Sequence, residues 1–135
     1  MSADRRTTYH YAVLRLVPRV HRGEFVNVGV IVHARTAEFL GMRVITDPVA
    51  LQEMAPGVDA ELLARYLQCH ERIAAGDAAA GEIAALPTSE RFHWLTAPRS
   101  DVLQSSPVHE GLGEDPARAL DELFAELVGE PEPRG

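Results

Sequence analysis

The sequence contains no lysine, and all of its basic residues are arginine. The absence of lysine excludes the phosphate clamp of a P-loop, a Schiff-base enzyme and a lysine general base. Cysteine occurs once, at Cys69, so the chain forms no internal disulfide, no cysteine-rich zinc site and no iron–sulfur cluster. A site in this protein must therefore be built from arginine, glutamate, asparagine, serine, glutamine or histidine.

Long apolar segments are also missing. The longest apolar run, Val28 to Val32, is far too short to span a bilayer. Residues 1–6 are polar and lead into no apolar stretch of the kind that a signal peptide needs. With the single thiol, these features predict a cytosolic protein without a membrane partner. The net charge of -7 disfavours binding to nucleic acid.

The composition is that of a packed protein. With 135 residues, 46% of them hydrophobic, the chain can form one domain without a disulfide or a metal staple. We predict a single α+β domain over residues 8–129, flanked by mobile segments at 1–7 and 130–135. The six histidines show no recognised ligand spacing, so we expect no metal and no cofactor.

Charge is distributed unevenly along the chain. Residues 1–43 hold seven Arg and three acidic residues, whereas residues 44–135 hold six Arg and 17 acidic residues. The two parts either attract each other within one fold, or the basic part presents a surface for a phosphate or an acidic partner. We favour attraction within one fold.

Three strands are predicted first, at Tyr9–Val17, Phe25–Ala34 and Glu38–Ile45, and they form an antiparallel meander. Valine at every second position of the middle strand predicts a core face there. Arg15 interrupts the otherwise apolar first strand, and we expect it to need a carboxylate partner or a binding site.

Helical spacing begins later in the chain. It predicts a helix capped by Asp59, a weaker alanine-rich helix capped by Asp77, and a last helix capped by Asp115. Before the last helix we predict a fourth strand at Arg91–Ala97 and a long polar loop over residues 98–114. The order β-β-β-α-α-β-α predicts an α+β fold with a mainly antiparallel sheet and helices packed on one face.

The first candidate segment, residues 19–29, runs from a loop into the second strand. Arg22 could hold an anion, and Glu24 could accept a proton or pair with that arginine. Asn27 is the sole asparagine of the chain and occupies a mid-strand position that disfavours it. Gly29 allows a backbone or a ligand to approach closely. In the alternative interpretation, which we favour, all four residues are structural.

The second candidate segment covers residues 96–111 and contains Arg99, Ser100, Gln104, Ser106 and His109. Arg99 with Ser100 is typical of an anion-holding pair, and Ser106 with His109 could be a nucleophile and its base. No elbow motif and no orienting acid accompany that serine. We therefore favour the interpretation that the hydroxyls cap turns and that His109 packs at the end of the loop.

The combination of YAVLRLVP, RGEFVNVGVIV, RFHWLTAPRSDVLQSSPVHEGL and a last helix with LDELF resembles the bacterial domain-of-unknown-function family DUF3037. The resemblance covers about Tyr9 to Val128. The polar positions of its motifs fall on eight residues of this chain: Arg22, Glu24, Asn27, Arg99, Ser100, Gln104, Ser106 and His109. Ser105 departs from the proline more usual in the family. The resemblance implies an unknown activity and a gene beside a HipA-like kinase in a high-GC bacterium, which the Arg-only, Ala-rich composition fits.

These observations leave three hypotheses. We favour a non-catalytic binding module for a protein partner such as a HipA-like kinase. The second hypothesis is an enzyme or sensor that clamps a phosphate-bearing molecule, such as a nucleotide, between Arg22 and Arg99, with Glu24 or His109 as the acid–base group. The third is a homodimer formed through a sheet edge or the last helix.

Overall fold

Strands and helices are mixed along residues 5–17, 24–97 and 102–129, the parts of the chain that the computed structural model describes. Their bounds are β1 Thr7–Leu16, β2 Val26–Ala34, β3 Phe39–Val44, α1 Pro48–Met54, α2 Ala60–Ala74, α3 Thr88–Thr96, β4 Leu103–Ser105, β5 His109–Gly113 and α4 Pro116–Leu127. All strand pairs are antiparallel, which confirms the predicted α+β class and the mainly antiparallel sheet. Residues 1–4 and 130–135, most of the segments predicted to be mobile, lie outside these ranges.

The sheet has the strand order β3-β2-β1-β4, and β5 also pairs with β1. β4 lies beside the C-terminal end of β1, where Leu14 pairs with Ser105. β5 lies beside the N-terminal half of β1, where Tyr11 pairs with His109. β4 and β5 therefore form one interrupted edge strand, and β1 and β2 are the central strands.

The pairing of β1 with β2 shifts by one residue near the end of the sheet. Leu14 pairs with Gly29, but the next residue, Arg15, pairs with Asn27, so Val28 has no partner on β1. This is the geometry of a β-bulge, which turns the side chains beyond it onto the other face. As a result, Asn27 shares a face with Arg15 and not with Gly29.

Helices cover both faces of the sheet. On one face, the ring of His33 stacks on Phe92 of α3 with a centroid distance of 5.2 Å. On the other face, the guanidinium of Arg43 lies 4.3 Å from the ring centroid of Phe124 in α4. Arg43 pairs with Val30 and therefore lies on the same face as Val30. Val30 and His33 lie on opposite faces of β2, because side chains alternate along a strand. α3, which packs on His33, and α4, which packs on Arg43, therefore lie on opposite faces of the sheet.

The predicted packing of the helices on one face is therefore corrected for α4, which occupies the face opposite α3. The physical reason is the burial of β2: its residues from Val28 onward are buried on both sides of the strand. A strand buried on both faces needs a helical layer on each side. Within the described part of the chain, no helix is long and apolar enough to cross a membrane.

The predicted strand at Arg91–Ala97 is wrong, because these residues belong to α3 and to the turn that follows it. Phe92 and Leu95 are both buried, and their spacing of three residues places them on one side of a helix. The hydroxyl of Thr96 donates to the carbonyl of Phe92 at 2.9 Å, a bond from one turn of the helix to the previous one. The aromatic residues of this short segment are equally compatible with a strand, so its composition misled the prediction.

Two further sequence predictions are corrected. Asp77 does cap the chain that follows it, but Gly81 at φ 107° separates two 3₁₀ turns there instead of allowing one helix. Residues 98–114, predicted as a loop, contain both β4 and β5. Their strand character comes from pairing with β1 across the fold, which a local pattern does not record. The predicted caps Asp59 and Asp115 are confirmed.

Candidate functional site

The two polar segments identified in the sequence are attached at the same end of the sheet. Residues 18–23, with Arg22, and 98–101, with Arg99 and Ser100, lie outside the described residues. Their flanking residues are in contact, since the N–H of Val17 donates to the carbonyl of Val102 at 2.6 Å. The first of these stretches therefore begins, and the second ends, next to one point of the sheet.

A row of polar side chains crosses the sheet at this end. Arg15 pairs with Gln104 on one side and with Asn27 on the other. All three belong to the face that carries α4, because cross-strand partners share a face. The bulge is the local cause of this arrangement, since without the shift in pairing Asn27 would point to the opposite face.

The side chain of Arg15 lies against an exposed aromatic ring. Its guanidinium carbon is 4.4 Å from the ring centroid of Phe25, which keeps 53% of its surface exposed. A guanidinium stacked on an aromatic face is held in orientation without losing its charge. In the described part of the chain, no acidic residue forms an ion pair with Arg15.

Asn27 connects the row to the end of α4. Its Nδ2 donates to the carbonyl of Leu127 at 3.0 Å, which satisfies one of the acceptors left open at a helix C-terminus. Among the described residues, Oδ1 of Asn27 and Nε of Arg15 are buried atoms without a hydrogen-bond partner. Such unsatisfied groups are rare in folded proteins and mark positions where a further group is bound or strain is stored.

Ser106 has a structural role. Its hydroxyl accepts a hydrogen bond from the N–H of Val13 at 2.9 Å and donates one to the carbonyl of Pro107 at 2.8 Å. The proton of the hydroxyl is thus engaged by the backbone rather than by His109. The ring of His109 lies 5.3 Å from that of Tyr11, four residues along β1 from Arg15.

The structure brings only part of the predicted set together. Gln104 and Asn27 flank Arg15, and the exposed Glu24 directly precedes Phe25. Ser106 and His109 lie further along the interrupted edge strand. Arg15 was expected to need a carboxylate partner or a binding site, but neither its place at the centre of this row nor the role of Phe25 was predicted.

A buried histidine also lies behind the row, and sequence reasoning missed it. His70 is 2% exposed, and its Nδ1 donates to the carbonyl of Tyr66 at 2.9 Å, because a carbonyl oxygen can only accept. It lines a cavity of about 10 Å³, together with Gln104 and Ser105, which is enough for about one water molecule. The helical spacing of His70 from Leu63 and Leu67 was the available signal.

Other sites in the described residues are less developed. No group of three histidine, cysteine or acidic side chains there is placed to hold a metal ion. The wider cleft between α1 and α2, of about 530 Å³, is lined by Pro48, Val49, Gln52, Glu53, Asp59, Ala60 and Glu61. None of these residues belongs to the two polar segments.

A family profile described as "Protein of unknown function (DUF3037)" matches residues 11–128, from the first strand to the end of the last helix. The chain belongs to the DUF3037 family. The match confirms the family resemblance drawn from the sequence motifs, and Arg15, Asn27 and Gln104 all lie within the part that DUF3037 covers. No curated protein and no solved structure matches this DUF3037 chain.

Proposed function

We propose that this DUF3037 protein is a non-catalytic cytosolic binding module for a protein partner. A HipA-like kinase is the candidate that the family resemblance suggests. The observation that carries the proposal is the edge strand β5, which pairs with β1 on one side and with no described strand on its other side.

The β5 edge also exposes apolar side chains. Leu112 in β5 is 53% exposed, and Val108 immediately before the strand is 48% exposed. An unpaired edge with apolar neighbours associates readily with another extended chain, so proteins either block such edges or use them for binding. The expected occupant is an extended segment of the partner, which would add a strand beside β5 through main-chain hydrogen bonds.

The hydrogen bonding of the predicted polar residues supports a binding role over a catalytic one. The amide of Asn27 is engaged by α4, and the hydroxyl of Ser106 is engaged by Val13 and Pro107. A serine nucleophile needs its hydroxyl directed at a base. In this arrangement the hydroxyl of Ser106 instead completes the backbone of the sheet.

A second candidate function is an enzyme or sensor for a phosphate-bearing molecule or a nucleotide. It is supported by the contact between Val17, which precedes the stretch with Arg22, and Val102, which follows the stretch with Arg99. Two guanidinium groups that met there would suit a phosphate. A thermal-shift screen with nucleotides tests this candidate, since a bound ligand raises the melting temperature.

The binding proposal is tested by co-expression of the chain with a HipA-like kinase, followed by purification and measurement of the dissociation constant. We expect Leu112→Lys to weaken the complex at least tenfold, because a charge is placed on the binding edge. The matched control is Leu62→Lys, at a 57% exposed leucine on α2, which should leave affinity unchanged.

Two results would contradict the binding proposal. The first is no complex at micromolar concentrations when both proteins are folded. The second is a stable homodimer in sedimentation experiments that Leu112→Lys converts to monomer, which would make a second copy the occupant of the edge.

A further inference from the structure

We infer that Arg15 is the binding site for a carboxylate of an aspartate or glutamate side chain in the protein partner. This inference rests on the proposed binding function and names the chemistry that its partner must present. It begins from a charged side chain on a central strand, between Leu14 and Leu16, which are almost completely buried.

A guanidinium in this position needs compensation. Partial burial of a charge costs free energy unless an opposite charge or several hydrogen bonds accompany it. The ring of Phe25 and the C-terminal carbonyls of α4, next to Asn27, provide only partial compensation. In the described part of the chain, no carboxylate supplies the remainder.

The side chains around Arg15 leave its charge unopposed. Gln104 and Asn27 flank it as cross-strand neighbours, and both are uncharged carboxamides that keep the surroundings of the guanidinium polar. Phe25 holds the guanidinium from one side and remains half exposed, so its ring can contact the partner directly. Arginine and aromatic residues, phenylalanine included, are enriched at protein–protein interfaces.

Charge selects a carboxylate over a phosphate. The row contains one cationic side chain, which one carboxylate neutralises through paired hydrogen bonds. A phosphate monoester carries between about one and a half and two negative charges at neutral pH. The chain as a whole has a net charge of -7, which opposes the additional negative charge.

The first test uses a blocked glutamate peptide as the probe and the intact chain labelled with ¹⁵N. The Nε–H resonance of Arg15, assigned with the Arg15→Gln variant, is followed during titration with N-acetyl-Ala-Glu-Ala-amide. We expect a saturable shift that the matching glutamine peptide does not produce. No saturable shift in the millimolar range, or equal shifts with both peptides, would overturn the inference.

The same titration is repeated with inorganic phosphate in place of the peptide. We expect phosphate to bind more weakly than the glutamate peptide. Saturation of the Arg15 signal by phosphate at a tenfold lower concentration would overturn the carboxylate assignment and favour the phosphate sensor.

The second test separates a binding role from a structural one. If the guanidinium is kept for binding, Arg15→Met should keep the apolar stem, remove an unpaired charge and raise the melting temperature. The same variant should lose the peptide response, and Arg15→Gln should lose it as well. A lower melting temperature for both variants would identify Arg15 as structural.

The third test uses the complex with the partner. We expect Arg15→Gln to weaken it roughly ten- to hundredfold, the range for a charged hydrogen bond. A complex that Leu112→Lys weakens but Arg15→Gln does not would overturn the carboxylate site and leave the binding module standing. Absence of any complex would contradict the binding module, whereas the peptide titration still decides whether Arg15 binds a carboxylate.

Discussion

Ser106 and Val13 are joined by two hydrogen bonds across the break in the edge strand. The N–H of Ser106 donates to the carbonyl of Val13 at 2.8 Å, and the hydroxyl of Ser106 accepts from the N–H of Val13 at 2.9 Å. The hydroxyl thus replaces the backbone carbonyl that a continuous strand would present. Pro107, which has no N–H to satisfy, follows directly at the interruption.

Substitution of Ser106 tests this structural role. Ser106→Ala leaves the N–H of the buried Val13 without an acceptor, so we expect a loss of about 1–3 kcal/mol in the free energy of unfolding. Urea denaturation measures the change. The control is Ser89→Ala, at an exposed serine of α3, which should alter stability by less than about 0.5 kcal/mol. A neutral Ser106→Ala would show that the hydroxyl is dispensable for the sheet.

His33 is expected to make stability depend on pH. Burial, followed by the nearby His10 and Arg35, lowers the pKa of His33 below its ordinary value of 6.5. The folded protein therefore binds fewer protons at His33 than the unfolded chain. This contribution to stability is fully present above about pH 6.5 and is lost as the pH falls towards the lowered folded pKa.

Urea denaturation at about pH 7.5 and pH 5 measures this effect. We expect His33→Gln to reduce the difference in unfolding free energy between the two conditions, because glutamine does not titrate. His93→Gln, at an exposed histidine of α3, serves as the control. The same acid-induced loss in His33→Gln and in the unmodified chain would refute the assignment to His33.

Arg91 donates to three backbone carbonyls, and its removal should be costly. Its Nη1 donates to the carbonyls of Ile73 and Ala74 at 3.0 and 2.8 Å, and its Nε donates to the carbonyl of Leu86 at 2.8 Å. We expect Arg91→Ala to lower the free energy of unfolding by about 1.5–3 kcal/mol, the value for hydrogen bonds from a charged donor.

Thermal and urea denaturation of Arg91→Ala and of the unmodified protein measure this loss. The matched control is Arg118→Ala, which removes an exposed ion pair with Glu122 at 3.0 Å. Exposed pairs contribute less than about 1 kcal/mol, so this variant should remain close to the unmodified protein. Equal losses in the two arginine variants would mean that the carbonyl contacts of Arg91 contribute little.

Gly29 permits the close approach of β2 and β3. A methyl group there would lie 2.9 Å from the carbonyl oxygen of Arg43 and from the side chain of Val44. Because backbone does not move aside cheaply, we expect Gly29→Ala to lose about 1–3 kcal/mol in urea denaturation. Gly113→Ala is the control, since its methyl group meets only the ring of Tyr9 at 3.4 Å. An unchanged unfolding midpoint for Gly29→Ala would show that the strands can separate.

Local sequence patterns predicted the elements that have a strong periodicity or a clear cap. β2 has valine on alternate residues, and α2 and α4 begin after Asp59 and Asp115, whose side chains accept from the first helical N–H groups. The nine residues of α3 have too short a pattern to separate a helix from a strand. β4 and β5 are short edge strands, and their conformation depends on pairing with β1.

The candidate site was likewise predicted only in part from the sequence. The sequence identified Asn27 as an unusual mid-strand residue, Gln104 as a polar position of the second segment and Arg15 as a charge in an apolar strand. It did not place them in one row, since Gln104 is far from both in the chain and reaches Arg15 only through the pairing of β1 with β4. The close approach of Arg15 and Phe25 likewise depends on the tertiary fold.

By itself, the sequence determined the chemistry available to this protein. Without lysine, an anion-binding side chain that is charged at every physiological pH must be arginine, and the family is recognisable from the motifs. Only the tertiary structure decided which arginine occupies the polar row and which polar groups already form hydrogen bonds within the fold. The physical reason is the single-residue shift in pairing at Val28, which turns Asn27 towards Arg15 and the end of α4.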